Sequence, residues 1–239
     1  MNREDIVKQA IQSLDLEISD LQVQQFIQYY EILVEWNSFM NLTGITEYEE
    51  VVIKHFVDSL LLVKAYDLSS VKSIMDLGTG AGFPGIPLKI MYPDIEFVLL
   101  DSLNKRIKFL NEVIKQLNLK KISAIHGRAE DYGRDKTYRE KFDLCVSRAV
   151  ANLSTLSEYC VPFVKKEGYF VPYKSGKIAE EVEAAKKAVL ILGADIEKVV
   201  PLTLPNTDIE RSFVIIHKEK ETKKIYPRMA GKPSKEPLK

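Results

Sequence analysis

The stretch Ser73-Ile74-Met75-Asp76-Leu77-Gly78-Thr79-Gly80-Ala81-Gly82-Phe83-Pro84-Gly85 sets an apolar strand ending in an acid directly against closely spaced glycines. Glycine lacks a Cβ, so Gly78, Gly80 and Gly82 admit positive φ and are expected to leave N–H groups unobstructed at the start of a helix carrying Ile86, Leu88 and Ile90. That arrangement predicts a site for a nucleotide-type cofactor. Gly80 to Gly85 also satisfies the G-x-G-x-x-G dinucleotide spacing, with Asp101 about 20 residues further on. Spacing alone therefore leaves two cofactor classes open.

Asp76 separates them. A carboxylate beside the loop repels a pyrophosphate and attracts a protonated α-amine. S-adenosyl-L-methionine carries that amine, a carboxylate suited to a helix N-terminus and a ribose diol for an acid ending the next strand. Asp101 closes Phe97-Val98-Leu99-Leu100 and is placed for the diol. The competing reading is a glycine turn that only packs a helix, behind a strand that ends in Asp because Asp favours turns. Strand, acid, glycines, helix, second strand and second acid in that order favour the cofactor pocket.

With 239 residues and 46% hydrophobic content, the chain has enough apolar side chain for one substantial core and a small appendage. No apolar run reaches the 18 or so residues of a membrane span, and Met1 to Asp5 lacks a secretory start, so a cytoplasmic protein is expected. Cys145 and Cys160 read as isolated thiols, and with three histidines no zinc spacing arises, so no metal is expected. Asn41-Leu42-Thr43 matches a glycosylation sequon by pattern only. Net charge is zero, yet residues 1–70 carry 4 basic and 12 acidic groups, and residues 211–239 carry 9 and 3. A polyanion is expected to meet the C-terminal side, unless the basic end is a solvated tail.

Three regions follow from the patterning: a helical extension over 1–70, a cofactor-binding domain over 71–218 and a basic tail over 219–239. Helices are predicted over 3–14, 21–36 and 48–65, the last two opened by capping boxes at Ser19 with Gln22 and Thr46 with Glu49. Strands are predicted over 73–76, 96–100, 122–125, 142–147 and 168–173. Helices over 105–117, 153–161 and 178–190 supply crossovers, so the strands should be parallel in a doubly wound, Rossmann-like α/β sheet covered on both faces. Strands at 196–202 and 211–218, joined without a helix, form an antiparallel hairpin. A parallel sheet finished this way is the seven-stranded methyltransferase arrangement, whereas a dehydrogenase would need a substrate domain for which the chain has no room.

Six separated blocks carry a resemblance: Asn41-Leu42-Thr43, Lys54 to Ser59, Asp76 to Gly85, Gly127 to Glu130, Ser147-Arg148-Ala149 and Tyr226 to Leu238. Together they resemble the bacterial small-subunit ribosomal RNA methyltransferase G family, formerly the glucose-inhibited division protein B family, which methylates guanine N7. The resemblance implies that Gly78 and Phe83 line the S-adenosylmethionine site, that Ala129 and Glu130 meet its adenine end, and that Arg148 sits between cofactor and target base. It implies 16S ribosomal RNA as partner; a monomer is expected. In the family Lys and Gly are adjacent after the fifth strand, but here Ser175 separates Lys174 from Gly176.

The residues agree with this chemistry. Methyl transfer from a sulfonium is an in-line displacement, served chiefly by holding the acceptor about 3 to 3.5 Å from the methyl carbon. Guanine N7 bears no proton, so no general base is expected. The turn after the fourth strand reads Ser147-Arg148-Ala149, without the Asp/Asn-Pro-Pro-aromatic motif of exocyclic-amine methylation, and Cys145 reads as core rather than as a nucleophile. Arg148, His55, Asp58 and Lys174 are the candidate substrate-positioning groups; a helix-surface ion pair is the competing reading for His55 and Asp58. Lys54, Arg211, Arg228, Lys232 and Lys235 are the candidate phosphate contacts, with Tyr226 available to stack on a base. The alternatives are an NAD-dependent oxidoreductase using the same loop, and a noncatalytic nucleic-acid-binding module in which the loop is vestigial.

Overall fold

The computed structural model describes residues 1–149 and 151–239. Seven strands form one sheet in the order β3-β2-β1-β4-β5-β7-β6. β1 (Ser73–Leu77), β2 (Glu96–Asp101), β3 (Ile122–His126), β4 (Phe142–Ser147) and β5 (Val164–Ser175) are parallel. β6 (Ala194–Thr203) and β7 (Glu210–Lys218) form the expected hairpin, and β7 inserts antiparallel against β5. β5 begins at Val164, earlier than the predicted 168, because Phe142 already pairs with Val164 before the ladder shifts register.

Side chains of the central strands alternate between two cores, as a sheet covered on both faces requires. Ile74, Phe97 and Leu99 enter one core, and Met75, Leu77, Val98 and Leu100 enter the other. The first core is covered by α1 (Arg3–Gln12), α2 (Asp20–Met40), the helical run over 48–64, α5 (Gly85–Met91) and α6 (Asn104–Gln116). Val7, Phe26, Tyr29 and Phe56 are fully buried there beside Ile74 and Leu99, so residues 1–70 supply part of the core on this face of the sheet. The second core lies under α8 (Leu153–Cys160) and α9 (Ala179–Ile191).

Two local features bear on function. The run over 48–64 is helical throughout, as expected, but Val52–Val57 is wound as a π-helix between α3 (Tyr48–Val51) and α4 (Asp58–Leu60). Such wide turns change the direction in which side chains leave a helix. The basic end is folded against the domain: Thr222 and Pro233 are buried, and a short helix, α10 (Lys232–Lys235), closes it. Among the described residues no helix is long and apolar enough to cross a membrane, and no cluster of His, Cys, Asp and Glu could hold a metal.

Candidate functional site

A cavity of about 760 Å³ opens at the carboxyl edge of the parallel strands, a size within the range of ligand sites. Its walls are the glycine loop after β1, the end of β2, the turn after β3 with α7 (Ala129–Tyr132), and Arg148 and Ala149 after β4. Gly78, Gly80 and Gly82 all have positive φ, 70°, 61° and 96°, so the conformational argument for glycine stands. Their amides do not point freely at the cavity as the sequence suggested. Gly78 N donates to Leu100 O (2.8 Å), Gly80 N to Asp101 Oδ2 (2.9 Å) and Gly82 N to Thr79 O (2.9 Å), because the loop is tied to the end of β2 and to itself.

Asp76 also differs from the sequence expectation. Its side chain lies on the α5 side of β1, one layer behind the cavity wall, where Oδ2 accepts from Thr79 Oγ1 (2.6 Å) and Gly85 N (2.8 Å). It braces the loop. Burial pushes its pKa up to about 7, against the opposing pull of those two hydrogen bonds. Oδ1 is buried and has no hydrogen-bond partner among the described residues, an acceptor that a buried water would satisfy.

Asp101 and Glu130 line the cavity where they were expected. Asp101 is held by Leu103 N (2.9 Å) and Arg106 Nη1 (3.1 Å) as well as by Gly80 N, which fixes its carboxylate at the mouth. Glu130 accepts from Gly231 N (2.8 Å), so the folded C-terminal segment reaches the same wall. Gly127 has no room for a Cβ beside the Tyr132 ring. Phe83 lines the opposite side, stacked on the His55 ring at 4.5 Å between centroids and 22°.

His55 leaves the π-helical segment toward this cavity. Its Nδ1 lies 3.1 Å from Lys54 O, and a carbonyl only accepts, so Nδ1 carries the proton and Nε2 accepts from Thr43 Oγ1 at 2.8 Å. Burial and the neighbouring Arg148 push its pKa down to about 4, which keeps the imidazole neutral. The Arg148 guanidinium lies 5.6 Å from the Phe83 ring centroid, donates to Ser59 Oγ (2.9 Å) and pairs with Asp58 Oδ2 (3.1 Å). Asp58 is 1% exposed and is paired on its other oxygen with Arg211 Nε at 2.7 Å. His55 and Asp58 thus flank Arg148 rather than pairing with each other.

Beyond Arg148 lies a second cavity, of about 610 Å³, which shares Arg148, Ala149 and Ala151 with the first. Lys174 lines it, donating to Ala151 O (2.7 Å) and paired with Glu181 Oε1 (2.6 Å), so the Ser175 insertion does not keep Lys174 from the site.

The proposed phosphate contacts are not equivalent. Arg211 is committed to Asp58, and Arg228 makes a bidentate pair with Glu158, which is fully buried, through Nε–Oε1 (2.9 Å) and Nη2–Oε2 (2.6 Å). Both arginines neutralise buried carboxylates, a structural role the sequence did not suggest, and Arg211 also lines the second cavity. Lys54 pairs with Glu50 on the helix surface, and Lys232 and Lys235 are exposed on α10. Thr43, Ser59, Glu158 and Glu181 were not singled out by the sequence reading, although Thr43 and Ser59 lie inside two of the six blocks.

A seven-stranded sheet with a hairpin end, a glycine loop after β1 and acids after β2 and β3 defines an S-adenosyl-L-methionine-dependent methyltransferase. Solved structures share the fold: M. jannaschii TYW2 in complex with AdoMet matches with TM-score 0.53 and 16% identity, over 68% of this chain and 76% of that one. The StiE O-MT matches with TM-score 0.58 and 14% identity, over 81% and 83%. The chain belongs to the GidB family, rRNA small subunit methyltransferase G, whose model matches residues 22–211. The ribosomal RNA small subunit methyltransferase G of Lachnoclostridium phytofermentans is 58% identical over 96% of this chain and 95% of its own length. That of Alkaliphilus oremlandii is 51% identical over the full length of both.

Proposed function

We propose that this protein transfers the methyl group of S-adenosyl-L-methionine to N7 of a guanine in 16S ribosomal RNA, acting in the cytoplasm as a monomer without a metal. The observation that carries the reading is the pair of cavities meeting at Arg148 and Ala149, one walled by the glycine loop and acids, the other opening beside it. Membership of the methyltransferase G family supports the same assignment.

S-adenosyl-L-methionine, when bound, supplies an electrophilic methyl on a sulfonium. The chain's own residues position and enclose. Asp101 and Glu130 are the groups for hydroxyl and amine donors, and Asp76 stiffens the loop between them. Phe83, His55 and Arg148 form a stacked wall in which His55 is neutral, so this side of the site adds one guanidinium charge, itself balanced by Asp58. No base is needed for an unprotonated ring nitrogen, and His55 has both nitrogens engaged. Catalysis then rests on alignment and exclusion of water.

Incubation with labelled cofactor and small-subunit RNA, followed by chemical cleavage specific for 7-methylguanosine, tests the reading. Label at one guanine N7 is expected. Transfer to another atom, or none to naked RNA or assembled subunits, overturns it.

A further inference from the structure

Two carboxylates line the second cavity, and they are not equally occupied. Asp58 has one arginine on each oxygen. Glu181, in the first turn of α9, accepts Leu153 N (2.6 Å) and Lys174 Nζ (2.6 Å) on the same oxygen, Oε1. Those two donors fix the side chain and leave Oε2 as the acceptor at the cavity edge, on a residue that is only partly buried.

The position of this oxygen matters. Arg148, Ala149 and Ala151 are the boundary with the cofactor cavity, while Lys174 and Glu181 belong to the second cavity only. A guanine presenting N7 to the boundary turns its N1–H and N2–H₂ edge the opposite way, because those groups lie across the bicyclic ring from N7. Guanine is the base that offers two adjacent donors there, and Oε2, the Glu181 oxygen that carries no protein donor, has two lone pairs with which to accept both. Resting on the guanine-N7 reading above, we propose that Glu181 is a specificity-determining residue that selects guanine by accepting from N1–H and N2–H₂, with Lys174 holding it in place.

The test uses the full-length protein and small-subunit RNA carrying either guanosine or inosine at the target; inosine keeps N7, O6 and N1–H but lacks the 2-amino group. Wild type is expected to favour guanosine over inosine in kcat/KM by roughly ten-fold or more, the size of one lost charge-assisted hydrogen bond. Glu181→Gln keeps an acceptor for Leu153 N and Lys174, so its cofactor Kd and melting temperature should match wild type. Its guanosine-to-inosine ratio should fall toward one. Glu181→Asp, which retains the charge, should recover part of the ratio. Equal wild-type rates on the two RNAs overturn the proposal without any variant, and so does a Glu181→Gln protein that keeps the wild-type ratio. Absence of N7 transfer by wild type is a different result: it removes the guanine-N7 reading itself, and this inference with it.

Discussion

Gly85 stands against Asp76 with no space for a side chain between them. A Cβ on Gly85 would lie 2.7 Å from Asp76 Oδ2 and would overlap the Leu99 side chain, while the Gly85 amide donates to that same Oδ2 at 2.8 Å. The contact couples the start of α5 to the carboxylate that braces the glycine loop. The sixth glycine-loop position is therefore a packing position, distinct from Gly78 and Gly80, whose positive φ shapes the turn.

Gly85→Ala is accordingly expected to destabilise the protein by about 1–3 kcal/mol, the range for overpacking a close-packed core. Displacing Asp76 should also weaken cofactor binding by at least about ten-fold, one hydrogen bond to a charged group. Gly44 is the control: nothing lies within 4 Å of a Cβ there, so Gly44→Ala should leave both properties near wild type. Thermal melts and calorimetric titration with the cofactor read the two effects. Wild-type affinity in Gly85→Ala would exclude the coupling.

The acid-glycine-acid frame was legible from residues 73–101, and the parallel strands and closing hairpin from the runs between 122 and 218, because local pattern sets them: apolar runs, φ > 0 requirements and turn residues. The roles of Asp76, Arg211 and Arg228 were not. Whether a carboxylate faces a ligand or a backbone amide depends on the side of the strand that meets α5, and whether an arginine faces RNA depends on a buried acid 70 residues away in Glu158 or 153 away in Asp58. Sequence shows the charges and hides such long-range pairings. The π-helical winding that aims His55 is likewise invisible to a 3.6-residue periodicity, which reads the run over 48–64 as one ordinary helix.

Asp58 holds Arg148 and Arg211 together from a position that is 1% exposed. Asp58→Ala leaves two partly buried guanidinium groups uncompensated and is expected to cost about 3–5 kcal/mol. Arg211→Ala should cost less, because Asp58 retains Arg148. Urea denaturation of both variants and of the double variant gives the coupling, and additive effects would refute the triad.

His55 and Asp76 titrate with opposite signs. The His55 pKa is lowered from about 6.5 to about 4, so the unfolded chain binds more protons across that window, and stability from this group is complete above it and lost as pH falls through it. The Asp76 pKa is raised from 3.8 to about 7, so the folded chain binds the extra proton, and stability is lost as pH rises from 4 to 7. In wild type the two slopes oppose each other. Removing the titration of His55 with His55→Gln should make stability fall more steeply with rising pH between 4 and 6.5, and Asp76→Asn should make it rise. Denaturant midpoints at pH 4.5, 5.5 and 6.5 check this, and unchanged slopes in both variants would exclude the assignment.

The C-terminal segment separates structural from electrostatic use of basic residues. Arg228 satisfies both oxygens of Glu158 and also donates from Nη2 to Glu236 O (2.7 Å), so it ties the segment to α8 and to itself. Arg228→Ala strands a buried carboxylate, with an expected cost of about 3–5 kcal/mol. It should also release residues 219–239 to limited proteolysis. Because Gly231 N holds Glu130 on the cofactor-cavity wall, cofactor affinity should fall with it. Lys232 and Lys235 carry their charge at the surface, 52% exposed for the Lys232 side chain, and Lys232 pairs only loosely with Glu236 at 3.9 Å. Lys232→Ala with Lys235→Ala should keep the melting temperature and cofactor Kd, while lowering the slope of log affinity for RNA against log salt by about 0.7 to 1 for each phosphate contact removed. A variant pair with the reverse pattern, salt slope lost in Arg228→Ala and stability lost in the lysine variant, would show that the anchoring and RNA-facing roles have been exchanged here.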